Sequence, residues 1–160
     1  MPAERVMSRR LKHAAVIFIV VFAAAQLVRP ERANPPTDAT RTIEAHAGTA
    51  NGLGAVLDRS CRDCHSNQTV WPWYTQIAPL SWLMARGVAE GRKAVNFSEW
   101  AAYSPEQQRT LLAVSCQDVS NGRMPGPYTL VRPETRLSPQ DIETICAAAR
   151  KAEADPADGR

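Results

Sequence analysis

Cys61-Arg62-Asp63-Cys64-His65 is the one close grouping of thiols and imidazole in a chain of 160 residues that holds four cysteines and three histidines. Two thiols three positions apart can each add to a vinyl group of one haem, and the imidazole beside the second thiol then falls under the iron. At this chain's own Cys and His frequencies, the pattern C-x-x-C-H arises by chance roughly 0.002 times, so coincidence accounts for it poorly. Half of a zinc site or a redox-active dithiol would use the same residue types. The pattern points to one covalent haem c, with Cys61 and Cys64 as thioether anchors and His65 as the proximal iron ligand.

Iron held by one imidazole leaves its opposite face to another ligand. The segment Gly122-Arg123-Met124-Pro125-Gly126-Pro127-Tyr128 reads as an extended loop that cannot be helical, with Met124 at its tight point. A thioether on a stiff loop, well after C-x-x-C-H, suits the sixth ligand of a His/Met-ligated haem; a methionine plugging a surface groove is the competing reading. Met84 lies on a helical stripe with Leu and Val and reads as packing. His46 sits in a segment without regular structure, which holds a ligand poorly. Trp71, Trp73 and Tyr74 around Pro72, with Trp82 further on, are candidates for covering a haem face, although filling a small core would use the same rings.

Several elements have to position these groups. Leu53, Val56 and Leu57 stand at i, i+3 and i+4, a short amphipathic helix that leads directly into Cys61. A second helix is expected from about Pro79 to Lys93, with Leu80, Leu83, Met84, Gly87 and Val88 on its inner stripe. Its Arg86, Arg92 and Lys93 form a solvated face or serve as partners for haem propionates. Ser104-Pro105-Glu106-Gln107 is a capping box that opens a third helix, with Leu111, Leu112, Ser115, Cys116 and Val119 inward and Gly122 after its end. Ser138-Pro139 opens a fourth, with Ile142, Ile145, Cys146 and Ala149 inward. Cys116 and Cys146 then face the interior from two helices and can form a disulfide across about 30 residues. A four-cysteine zinc site with Cys61 and Cys64, or two buried free thiols, are the other uses of that pair.

The apolar run Ala14 to Val28, broken by Gln26 and preceded by Arg9, Arg10 and Lys12, has the pattern of an export signal or anchor. Residues 1–28 carry the whole +3 net charge of the chain, and the remainder holds fifteen basic against fifteen acidic groups. A neutral domain without a basic face is not a nucleic-acid binder. A hydrophobic content of 44% with 22% charged residues is ordinary for one globular domain. From Pro30 to Ala50 no apolar periodicity exists and prolines interrupt the chain, so an extended spacer is expected.

Asn34-Pro35-Pro36, the stretch CRDCHSNQTVWPWYTQIAPLSWL from Cys61 to Leu83, NFSEW from Asn96 to Trp100 and GRMPGPYTLVRPETRLS from Gly122 to Ser138 agree with one pattern. With its N-terminal anchor, the chain resembles the haem-binding domain family of small bacterial exported proteins, from about residue 11 to 149. The resemblance implies a covalent c-type haem on a small, mostly helical domain. Similarity to the wider cytochrome c class, which places Met-Pro late in the chain, supports the sixth-ligand role for Met124.

The expected protein is mainly α, a small cytochrome c-like helical domain around a covalent haem, preceded by one N-terminal transmembrane or signal-anchor helix. Its segments are an anchor at 1–28, a Pro-rich linker at 29–51, a haem domain at 52–150 and a disordered tail at 151–160. The expected function is that of a periplasmic c-type cytochrome, an electron carrier rather than a catalyst. It is tethered to the bacterial inner membrane by its leader, or free in the periplasm if the leader is cleaved, and its partners are unidentified redox proteins. The alternatives are a haem enzyme or gas sensor with an open sixth iron position, and a structural zinc module.

Overall fold

The structure is a computed structural model that describes residues 2–46 and 52–154. Seven α-helices and five short 3-10 helices make up its regular structure, and none of the described residues forms a strand. The chain divides into two compact units, Met1–Ala33 with Trp71–Gly87, and Asn34–Val70 with Val88–Arg160.

The first unit contains α1 (Pro2–Ala25), the 3-10 helix Trp73–Gln76 and the opening turns of α5 (Leu80–Ala94). Gln26, the polar interruption of the apolar run, follows the end of α1. Its Nε2 donates to the Phe22 carbonyl at 2.9 Å, and its Oε1 accepts the Ala78 N–H at 2.9 Å. Trp82 Nε1 donates to the Val28 carbonyl at 2.8 Å, and Arg32 Nη1 to the Thr75 carbonyl at 3.2 Å. A helix thus occupies the segment where a leader was expected, but it does not provide the expected span. Among the described residues, no helix is long and apolar enough to cross a membrane. The reason is geometric: the uninterrupted apolar part of α1, Ala14 to Ala25, covers only about 18 Å at about 1.5 Å per residue. The hydrocarbon layer is about 30 Å thick.

The second unit holds α2 (Ile43–His46), α3 (Leu53–Ser60), α4 (Arg62–His65), the remaining turns of α5, α6 (Pro105–Ser120) and α7 (Pro139–Ala154). Ile43, Leu53, Val56, Leu57, Val95, Phe97, Trp100, Leu112, Val119 and Ile145 form one buried cluster. The Ser-Pro starts behave as sequence chemistry dictates. Ser104 Oγ accepts the Gln107 N–H, while Gln107 Oε1 accepts the Ser104 N–H at 2.8 Å. Ser138 and Asp141 repeat the arrangement at the start of α7, with Asp141 Oδ2 accepting the Ser138 N–H at 2.8 Å. Helices α6 and α7 make the most extensive helix–helix packing, and Cys116 and Cys146 join them in a disulfide.

Four expectations need correction. The spacer expected at 29–51 is partly folded: a 3-10 helix spans Ala39–Arg41, α2 follows, and Ile43 is 1% exposed in the core. Two isolated positions, Thr42 and Ile43, are buried there, too few to show a period. Of the stripe expected on α5, Met84 and Val88 are buried, joined by Ser81 and Gly91, whereas Leu80 is half-buried, Gly87 is exposed and Leu83 is 65% exposed. The stretch after Met124 is not wholly extended, since Gly126–Leu130 is a 3-10 helix with Gly126 at φ +61° and Pro127 in its first turn. At the C-terminus α7 continues to Ala154, and the rest of the expected tail, 155–160, lies outside the described residues.

Candidate functional site

α3 delivers the chain to the motif. Its last turn closes with the Cys61 N–H on the Leu57 carbonyl at 2.9 Å, and Cys61 then leaves helical geometry at φ −127° and ψ −33°. The single turn α4 follows, in which the N–H groups of Cys64 and His65 both reach the Cys61 carbonyl, at 3.2 and 3.0 Å. One backbone turn thus carries both thiols and the imidazole. Both thiols are free and half-buried, and Cys61 packs against the hydrophobic core. Burial, reinforced by neighbouring Cys64, pushes the Cys61 thiol up to about 12 against the pull of Arg59. Burial, with the charge of Asp63, pushes Cys64 up to about 11 against the pull of Arg92.

His65 is oriented through one ring nitrogen. Nδ1 lies 3.3 Å from the Val95 carbonyl, which can only accept, so Nδ1 carries the hydrogen and Nε2 keeps its lone pair. The ring packs against Phe97, with centroids 5.8 Å apart. Burial lowers the imidazole pKa, and hydrogen bonds to the Val95 and Gly91 carbonyls offset that only partly, so the ring favours its neutral form. A neutral imidazole with Nδ1–H on a backbone carbonyl and Nε2 unspent is the arrangement of a metal-ligating histidine.

Three supporting residues were not singled out from sequence as serving the motif. Gly91 is one of them: a Cβ there would lie 2.4 Å from the Cys64 carbonyl oxygen, so α5 meets the motif backbone to backbone. A glycine inside a helical pattern often has such a packing reason. Arg92, expected on a solvated face or with a propionate, instead donates from Nε to the Ser66 carbonyl at 2.7 Å. Its Nη2 reaches Asn34 Oδ1 at 2.8 Å and Thr69 Oγ1 at 2.9 Å. Asp63, a variable position of C-x-x-C-H, accepts the Val70 N–H at 2.9 Å on Oδ1 and the Tyr128 hydroxyl at 2.8 Å on Oδ2. No sequence signal marks that link, because its partners are 65 residues apart.

Met124 belongs to the same unit and is 41% exposed. Its N–H and that of Arg123 both donate to the Asp118 carbonyl, at 3.3 and 2.9 Å, and Arg123 Nη1 pairs with Asp118 Oδ1 at 2.7 Å. A cavity of about 760 Å³, within the usual size range of ligand pockets, opens beside α4 and is lined by Asp58, Arg62, Ser66 and Phe97 among others. Arg62 Nε is buried there without a hydrogen-bond partner. The proposed aromatic cover, Trp71, Trp73, Tyr74 and Trp82, belongs to the first unit. Trp73 is 75% exposed, while Trp71 Nε1 and Tyr74 Oη are buried without partners. His46 Nε2 is 3.0 Å from the Thr40 carbonyl, and His13 Nδ1 is 2.7 Å from that of Arg9.

A helical protein that presents two free thiols and a pre-oriented imidazole on one turn has the donor set of a haem protein. A family model described as a haem-binding domain matches residues 20–151, and the chain belongs to that family, with haem as its cofactor. No curated protein and no solved structure matches the chain.

Proposed function

We propose that the chain is an exported c-type cytochrome that carries one covalent haem and passes single electrons. Cys61 and Cys64 would hold the haem through thioether bonds, and His65 Nε2 and the Met124 thioether would ligate its iron. The observation that carries the reading is the His65 geometry, with Nδ1 spent on Val95 and Nε2 left for a metal beside two free thiols. Haem held by these four residues would supply a one-electron Fe(III)/Fe(II) couple and would leave electron transfer, rather than substrate binding, as its chemistry. The Cys116–Cys146 disulfide supports an oxidising compartment, and the basic leader supports export to the periplasm. That same disulfide takes the second cysteine pair away from a four-cysteine zinc site. The apolar part of α1 is short for a membrane tether, so the reading rests on export and on redox protein partners rather than on anchorage.

The 41% exposure of Met124 favours a second reading, in which the sixth position is open and the protein senses or reacts with a small gas. Carbon monoxide separates the two. Protein matured in cells with a cytochrome c assembly system is expected to keep its haem through denaturing electrophoresis and to give a haemochrome in alkaline pyridine. Its low-spin ferrous form should be insensitive to carbon monoxide. Cys61→Ala with Cys64→Ala should abolish the covalent haem. Absence of haem from the denatured wild-type chain sinks the cytochrome reading, and ready carbon monoxide binding moves the protein to the sensor reading.

A further inference from the structure

Asp63 does more than fill a variable position of the motif. Its side chain is 14% exposed and joins three segments of one unit. Oδ1 accepts the Val70 N–H, Oδ2 accepts the Tyr128 hydroxyl at 2.8 Å, and Arg132 Nη1 stands 3.5 Å from Oδ2. The Asp63 carbonyl accepts Thr69 Oγ1 at 2.7 Å, which fixes the motif side of the junction. Tyr128 lies four residues beyond Met124, in the 3-10 helix that begins at Gly126. Arg132 is tied to the same helix through its own N–H on the Tyr128 carbonyl at 3.0 Å. Before Met124, the N–H groups of Arg123 and Met124 close on the Asp118 carbonyl at the end of α6.

Met124 therefore stands between two fixed points, Asp118 on one side and Asp63 on the other. The second of these lies within the motif whose Cys61, Cys64 and His65 would hold the haem. We infer that Asp63, through Tyr128 and Arg132, is a positioning residue that latches the Met124 loop to the haem-attachment turn and so keeps the Met124 thioether on the iron. The inference rests on the proposed cytochrome function and deepens it. A hydrogen bond to a carboxylate is among the stronger neutral-to-charged contacts, and low exposure shields it from competing water. Without the latch the loop would lose its tie to the attachment turn, and an exogenous ligand would compete with Met124 more easily.

The test uses holoprotein of wild type, Tyr128→Phe and Asp63→Asn, with Met124→Ala as the reference for a lost ligand. Imidazole is titrated into the oxidised protein while the thioether-to-iron absorption band is followed, and covalent haem and thermal midpoint are measured alongside. Tyr128→Phe removes one hydroxyl and keeps the ring, so it carries the test if Asp63→Asn fails to mature. The expected result is unchanged covalent haem with imidazole displacing Met124 at about fivefold to tenfold lower concentration than in wild type. A band present in wild type with imidazole affinity in Tyr128→Phe within twofold of it overturns the latch and leaves the cytochrome reading intact, even if the thermal midpoint falls. Covalent haem without the band in wild type overturns the latch by removing its ligand. A wild-type chain without covalent haem overturns the latch together with the cytochrome reading.

Discussion

The second unit contains two cysteine pairs that the fold treats in opposite ways. Cys116 and Cys146 come from α6 and α7, thirty residues apart in sequence, and are oxidised to a disulfide with Ser120 Oγ 3.6 Å from the Cys146 sulfur. Cys61 and Cys64 come from one backbone turn and remain two thiols. The chain-entropy argument separates them, because a bridge across thirty residues removes much freedom from the unfolded chain and one across three removes little. The first pair therefore serves stability. The second is worth more as two reactive groups at fixed spacing, and the surrounding residues hold that spacing: Gly91 against Cys64, Val95 on His65, and Asp63 on Val70 and Tyr128.

The largest expected effect concerns the reactivity of the reduced pair. Burial pushes Cys61 up to about 12 and Cys64 up to about 11 against an ordinary 9.0, so each thiol should hold far less thiolate at pH 8 than a free cysteine. In folded protein isolated before haem attachment, iodoacetamide should alkylate Cys64 slowly and Cys61 more slowly still, and denaturant should release both. Alkylation at the denatured rate in the folded state would break the contrast, because it would mean that the turn is open to solvent. On the proposed function, haem attachment would then call for the turn to open or for a partner that activates the thiols.

Removing the other pair acts on stability instead. Cys116→Ala with Cys146→Ala should lower unfolding free energy by about 3–4 kcal/mol, the chain-entropy value for a thirty-residue loop. Covalent haem content, scored at a temperature where the variant is folded, should stay at the wild-type level. Equilibrium urea unfolding with a haem stain measures both. If haem attachment disappeared while the fold persisted, the two pairs would not be separate devices.

How much of this was legible in the sequence follows from range. C-x-x-C-H, the two Ser-Pro helix starts and the inward placement of Cys116 and Cys146 depend on residues within a few positions of one another, and local chemistry specifies them. Ile43 in the core, Gly91 against Cys64, Arg92 on Ser66 and Asp63 on Tyr128 depend on segments brought together only by folding. On α5 the expected Met84 and Val88 are buried, and the stripe departs from expectation at Leu83 and Gly91 for the same reason. Hydrophobicity selected Leu83, whereas the helix turns Gly91 inward because only a residue without Cβ admits the Cys64 backbone.

The two interior glycines of α5 turn that argument into a paired measurement. Gly87 has nothing within 4 Å of its would-be Cβ, so Gly87→Ala should stabilise by about 0.5–1 kcal/mol through helix propensity. Gly91→Ala places a methyl 2.4 Å from the Cys64 carbonyl oxygen and 2.9 Å from its carbon, and both are backbone atoms that cannot swing aside. It should destabilise by about 1–3 kcal/mol and, on the proposed function, reduce covalent haem yield, since the obstructed backbone is that of Cys64. Equal and favourable shifts in thermal midpoint for both variants would remove Gly91 from the supporting set.

The smallest effect probes the tie between the two cysteine regions. Arg59, two residues before Cys61, pairs at 2.7 Å with Asp141 at the start of α7, the helix that carries Cys146. Burial tends to raise the Asp141 pKa, but the Arg59 guanidinium and the Ser138 N–H and hydroxyl outweigh it and hold the carboxyl below its ordinary 3.8. A depressed folded-state value means that this stabilisation is fully present above the unfolded value near 3.8 and is lost as pH falls through the lower folded value. Asp141→Asn should therefore lower stability by about 0.5–1 kcal/mol at pH 7, the range of a partly exposed ion pair. The gap from wild type should close as pH falls below about 4, where the protonated aspartic acid comes to resemble the amide. Urea midpoints of the two proteins at pH 7 and pH 3 give the comparison. A deficit that persisted undiminished at pH 3 would show that the carboxyl acts by shape and capping alone, with no charge linking α3 to α7.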